Sequence, residues 1–66
     1  MDPNTLWHDL AMSVQLDDWE SAEVQARDLL EWLDKKGFPP SITGQQAFDA
    51  IVARCACQAV ISWEVD

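Results

Sequence analysis

Few side chains in this sequence have the types and spacing that covalent or metal chemistry requires. Cys55 and Cys57 stand two apart. On a helix, such residues point about 200° apart, so they neither share one metal readily nor bond each other. A zinc site takes about four ligands, and the single histidine, His8, lies a whole helix away. A catalytic or redox thiolate needs a basic neighbour to lower its pKa. Arg54 is the local candidate, but it is adjacent in sequence rather than one helical turn away. The expectation is two small thiols, buried or half-buried, that serve packing.

His8 offers a general base or a ligand in principle. No Ser-His-Asp or Cys-His arrangement is legible, so an exposed side chain near a helix start is expected. Asp17, Asp18 and Glu20 lack the spaced oxygen ligands and the glycine of a calcium loop, and helix capping accounts for them. No catalytic, cofactor-binding or metal-ligating residue is assigned. A three-helix chain also leaves little room for the concave, water-excluding pocket that catalysis needs, so no enzyme is expected.

The elements that position these residues are helical throughout. Asp2 and Pro3 form an N-cap followed by proline at the first helical position. Leu6, Trp7, Leu10, Ala11 and Val14 then make one stripe, which predicts a helix over residues 3–16. Asp17 or Asp18 caps a second helix over 18–36, with Trp19, Ala22, Ala26, Leu29, Leu30 and Leu33 as its apolar stripe. The pairs Glu23–Arg27 and Glu31–Lys35 have the favourable i, i+4 spacing. Gly37 suits a left-handed C′ position with Phe38 folding back on Leu33, and Pro39 and Pro40 prevent continuation.

Thr43 and Gln46 read as a capping box for a third helix over 44–64. Its core stripe is expected at Phe48, Ile51, Val52, Cys55, Ala56, Ala59, Val60 and Trp63. Ala50, Ala53, Cys57 and Ile61 are apolar too, leaving only a thin polar strip. A helix apolar nearly all round is usually buried on more than one side. The second helix raises a smaller question. Trp32 lies off its stripe, with Val24 on the same side. Trp32 either packs under the 38–43 loop or belongs to a contact surface, and the sequence leaves both readings open.

All of this fits one all-α domain over residues 1–66, a three-helix bundle. The 66 residues carry 12 Asp and Glu against 4 Lys and Arg, a formal net charge of −8, and are 48% hydrophobic. That apolar content is too high for a disordered acidic tail. The charge disfavours direct nucleic-acid binding, which rests on neutralising phosphates, and docking on anionic membranes. Nine of the 12 acids fall in residues 1–36, so the hairpin supplies the acidic surface and the last helix the apolar area. With two cysteines, no secretory signal and no membrane span, a soluble, reducing, cytoplasmic setting is expected.

Asp17-Asp18-Trp19-Glu20-Ser21-Ala22, followed by Ala26, Leu29 and Leu30, resembles the middle of a tetratricopeptide repeat. Asp18 takes the place of the turn acid, Trp19 that of the aromatic, and Ala22 that of the small residue where the helices cross. The chain departs from the pattern elsewhere. Asp9, Leu10 and Ser13 stand where the family favours Leu-Gly and Tyr, Asp34 stands at the closing proline, and no second repeat follows. The resemblance covers about half of the chain and implies an αα-hairpin, a third helix packed on it, and a bias toward protein binding.

Two functions follow as expectations. The first is a protein-interaction module that self-associates, as a homodimer, through its C-terminal helix. Its interface would use Ala50, Ala53, Cys57 and Ile61, with Trp32 and Val24 as further contacts. The second is an acidic inhibitor or nucleic-acid mimic that occupies a basic groove on another protein.

Overall fold

The computed structural model describes residues 2–63. It contains α1 (Pro3–Gln15), α2 (Trp19–Asp34) and α3 (Gln46–Trp63), with no strand among the described residues. The expected end of the third helix at residue 64 lies outside them. No described helix is long and apolar enough to cross a membrane.

Each turn follows from local chemistry. At the start of α1, the Asp2 carboxylate accepts from the Asn4 backbone N–H at 3.0 Å and from the Thr5 hydroxyl at 3.0 Å. The first of these bonds satisfies a backbone donor that a helix start leaves without a partner, and the second holds the capping carboxylate in place. At its end Asp17 is left-handed, with φ 57°. The Asp17 N–H donates to the Val14 carbonyl at 3.1 Å and the Asp18 N–H to the Ser13 carbonyl at 2.8 Å, the two bonds of a Schellman motif. Asp18 then caps α2, its carboxylate accepting from the Ser21 N–H at 3.3 Å. One pair of aspartates therefore closes one helix and opens the next.

The end of α2 repeats this design, one residue earlier than the sequence suggests. Lys36, not Gly37, is left-handed, with φ 63°. Its N–H donates to the Leu33 carbonyl at 3.0 Å, and the Gly37 N–H to the Trp32 carbonyl at 3.0 Å. Gly37 is needed for a different reason. A Cβ there would run into the Trp32 indole.

The expected Thr43–Gln46 capping box is absent, and α3 starts two residues later than predicted. The Gln45 side-chain oxygen accepts from the Phe48 N–H at 2.8 Å. Thr43 turns instead to Asp49, donating its N–H at 2.7 Å and its hydroxyl at 2.5 Å to the same carboxylate oxygen.

α2 lies between the other helices and packs on both, while α1 and α3 touch little. The radius of gyration, 11.0 Å, equals what a compact domain of this length has, about 11 Å; α3 thus folds back rather than extending away. The core consists of Leu10 from α1, Ala22, Ala26, Leu29 and Leu33 from α2, and Ala53 and Cys57 from α3. Most of these are small, which lets helix backbones approach closely. Pro3 and Pro40 are also fully buried, and the Ser41 N–H donates to the Asn4 side chain at 2.6 Å. The long connection is thereby tied to the start of α1.

Candidate functional site

α3 has two apolar faces, and the fold buries the one made of smaller residues. Ala53 and Cys57 are completely buried against α2, with Ala50 and Ile61 half-buried beside them. This corrects the assignment of Ala53 and Cys57 to a self-association interface. The bulkier stripe expected in the core faces outward: Phe48 is 52% and Ile51 59% exposed, and Cys55 and Ala59 are exposed with them. Val52, Ala56 and Val60 lie half-buried along the edge.

Two polar side chains fix this rotation. At 100° per residue, Asp49 and Arg54 lie about 140° apart on the wheel, with Ala53 and Cys57 between them. Asp49, 3% exposed, is held by Thr43. Arg54 pairs with Asp34 near the end of α2 at 2.8 Å. Both anchors are satisfied with the small residues facing inward. Thr43 and Asp49, six residues apart, were the available signal in the sequence.

Neither Val24 nor Trp32 joins that surface. Val24 is 57% exposed on the outer side of α2, between Glu20 and Asp28 on the helical wheel. Trp32 belongs to the connection after α2. Its indole N–H donates to the Phe38 carbonyl at 2.8 Å, and the two rings meet edge to face with centroids 5.9 Å apart. Of the two readings open for Trp32, packing against the loop describes its contacts.

The exposed face of α3 continues into a groove between α1 and α3, where those helices do not close on one another. Trp7, Leu10, Ala11 and Val14 line one wall and Ala56 and Val60 the other, around a volume of about 320 Å³. Stacked indoles of Trp19 and Trp63, with centroids 6.0 Å apart, join the start of α2 to the end of α3. Met12 and Leu16 are also exposed but lie on the side of α1 turned away from this groove.

The titratable groups fit structural roles. The Thr43 hydroxyl holds the Asp49 carboxyl below its ordinary pKa. Burial opposes this, and the backbone N–H groups of Thr43, Ile42 and Gly44 reinforce it. Burial pushes the Cys57 thiol up to about 11, only partly offset by Arg54, so at neutral pH it is a protonated, inert packing group. Cys55 points the other way and is exposed, not in the core stripe and buried or half-buried as expected, and neither cysteine is in a disulfide. His8 is exposed on α1. Among the described residues, no three His, Cys, Asp or Glu side chains group so as to hold a metal ion.

No family model, curated protein or solved structure matches the chain.

Proposed function

We infer that this protein is a small acidic helical module for protein–protein association that self-associates through the outer face of α3. The observation that carries this reading is the pair Phe48 and Ile51, more than half exposed on one continuous apolar strip with Cys55 and Ala59. Isolated exposed apolar residues are ordinary on protein surfaces; contiguous ones mark contact sites. The implied αα-hairpin bias toward protein binding agrees with it.

Charge supports a second copy as the partner. α3 contains only two charged residues, Asp49 and Arg54, and neither lies on the outer strip. The acidic hairpin is on the opposite side of α3. With neighbouring helices about 8–10 Å apart, two copies joined through α3 keep their α2 helices about 24–30 Å apart. That exceeds the ~8 Å Debye length at physiological salt. A contact through the exposed side of α2, with Glu20, Asp28 and Glu31, brings carboxylates together.

One helix face is small beside the roughly 1,200–2,000 Å² of a standard interface, so association is expected in the micromolar range. Sedimentation equilibrium across that range should show a mass approaching twice 7.5 kDa. Phe48→Glu or Ile51→Glu should weaken association about tenfold or more and leave the helical circular dichroism intact. A single 7.5 kDa species at every concentration would remove this reading.

The acidic-mimic alternative has less support in the geometry. On α2, Arg27 pairs with Glu23 at 3.1 Å and Lys35 with Glu31 at 2.9 Å, so cations interleave with the carboxylates instead of leaving a phosphate-like row. Salt separates the two readings. Association through an apolar strip persists or strengthens as salt rises, whereas binding to a basic groove weakens steeply.

A further inference from the structure

Resting on the self-association just described, we propose that two copies pair their α3 helices antiparallel, about a twofold axis passing at Cys55. The outer strip is graded in size. Phe48 and Ile51 stand in its first half, Cys55 at its middle, and Ala59 and Ser62 in its second half, all of them exposed.

The spacing makes this gradient self-complementary. On a wheel of 100° per residue centred on Cys55, Ile51 and Ala59 lie about 40° to either side, and Phe48 and Ser62 about 20° to either side. Both pairs are equidistant from Cys55 along the helix. A half-turn about an axis at Cys55 that lies in the plane of the contact, perpendicular to the helix, therefore brings Ala59 of the second copy across the seam from Ile51 and its Ser62 across from Phe48. Each bulky side chain meets a small one, the interdigitation that close packing requires. A parallel, in-register pair would set Phe48 on Phe48 and leave a gap where Ala59 meets Ala59. The antiparallel pair also sets the two helix dipoles in opposition, whereas the parallel pair aligns them. A twofold, isologous contact of this kind closes on itself and produces dimers rather than filaments.

Disulfide trapping tests the register, because a disulfide needs Cα atoms within about 7 Å. Oxidised glutathione accepts the electrons: two protein thiols become one disulfide, and one oxidised glutathione becomes two reduced ones. The unaltered chain should link through Cys55. In a C55S background, I51C alone should not link, because its copy lies about 12 Å away along the axis. A59C alone should fail for the same reason. A mixture of the two variants should form the mixed dimer. All three positions are exposed, so the fold is not at risk, and circular dichroism checks it.

Self-linking of I51C in the C55S background would overturn the antiparallel arrangement in favour of a parallel one. A dimer in sedimentation whose Cys55 does not link, and whose I51C and A59C forms do not link when mixed, would overturn the register while leaving self-association standing. A monomer in sedimentation would remove both.

Discussion

α2 and α3 both carry more apolar residues than one stripe needs, and the fold treats the surplus differently. On α2 the large off-stripe residue, Trp32, is taken up by the chain that follows: Gly37 passes under the indole and Phe38 meets its edge. On α3 the surplus Phe48 and Ile51 find no such cover within the described residues. The difference lies in the neighbours. After α2 a proline-containing connection doubles back over the outer face. α3 has only α2 behind it, and Asp49 and Arg54 turn its bulky side outward. Bulk alone therefore does not decide which face is the core; the polar side chains that must reach partners decide it.

Truncating one side chain from each face separates core from surface most strongly. Leu29→Ala removes the largest fully buried side chain and should cost about 2–5 kcal/mol, a large share of what so small a domain has. Phe48→Ala should change the stability of the monomer by about 0.5 kcal/mol or less. Urea midpoints at concentrations below the dimer range compare the two. Equal losses would place Phe48 in the core after all.

Gly37→Ala tests the cover over Trp32. The added methyl meets the indole ring system, so either the indole moves or the connection lifts, at a cost of about 1–3 kcal/mol. The Trp32–Phe38 hydrogen bond is strained or broken with it. Gly44→Ala is the control. Gly44 has φ 90° but open space around it, so only backbone strain of about 1–2 kcal/mol is expected. Near-ultraviolet circular dichroism should change for Gly37→Ala and stay unchanged for Gly44→Ala.

Asp49 makes the inward side of α3 sensitive to pH. Its carboxyl has a lower pKa in the folded chain than the ordinary 3.8 of an aspartate, so the folded state favours the ionised form. The stabilisation is therefore complete above about pH 4 and is lost as pH falls through the folded value. Asp49→Asn should remove this component. The variant should be less stable than the parent at pH 6, and the difference should narrow toward pH 2. Thermal midpoints across that interval measure it, and a constant difference would mean that the carboxylate charge is not what Thr43 recognises.

Much of the fold was legible, because each helix carries its own signals. Asp2 with Pro3 opens α1, Asp18 opens α2, and the stripe Ala22, Ala26, Leu29, Leu33 lies in the core as its spacing requires. The candidate surface was legible only as an excess. A helix with two apolar arcs has no single moment to orient it, and assigning the bulkier arc to the core exchanges the two faces. The information that breaks the tie is non-local: Arg54 reaches Asp34, twenty residues earlier, and Asp49 reaches back to Thr43. The turn after α2 misled for a related reason. Glycine suits a left-handed position, but here Lys36 takes that conformation, and the close approach of Trp32 excludes a side chain at Gly37.

The two cysteines give the finest test, since they lie on the same helix and differ in which face they occupy. At concentrations below the dimer range, Cys55 should react with a thiol reagent in the folded chain at pH 8, with one equivalent consumed quickly and the second only on unfolding. The second belongs to Cys57, whose buried thiol keeps its proton up to about pH 11 in the folded state. Because that value lies above the 9.0 of an ordinary thiol, the unfolded chain loses this proton first. The contribution of Cys57 to stability is thus complete below about pH 9 and declines as pH rises toward 11. Cys57→Ala should flatten that alkaline decline. Two equivalents reacting together at pH 8 would mean that the two faces of α3 are equally open, and the contrast between them would be lost.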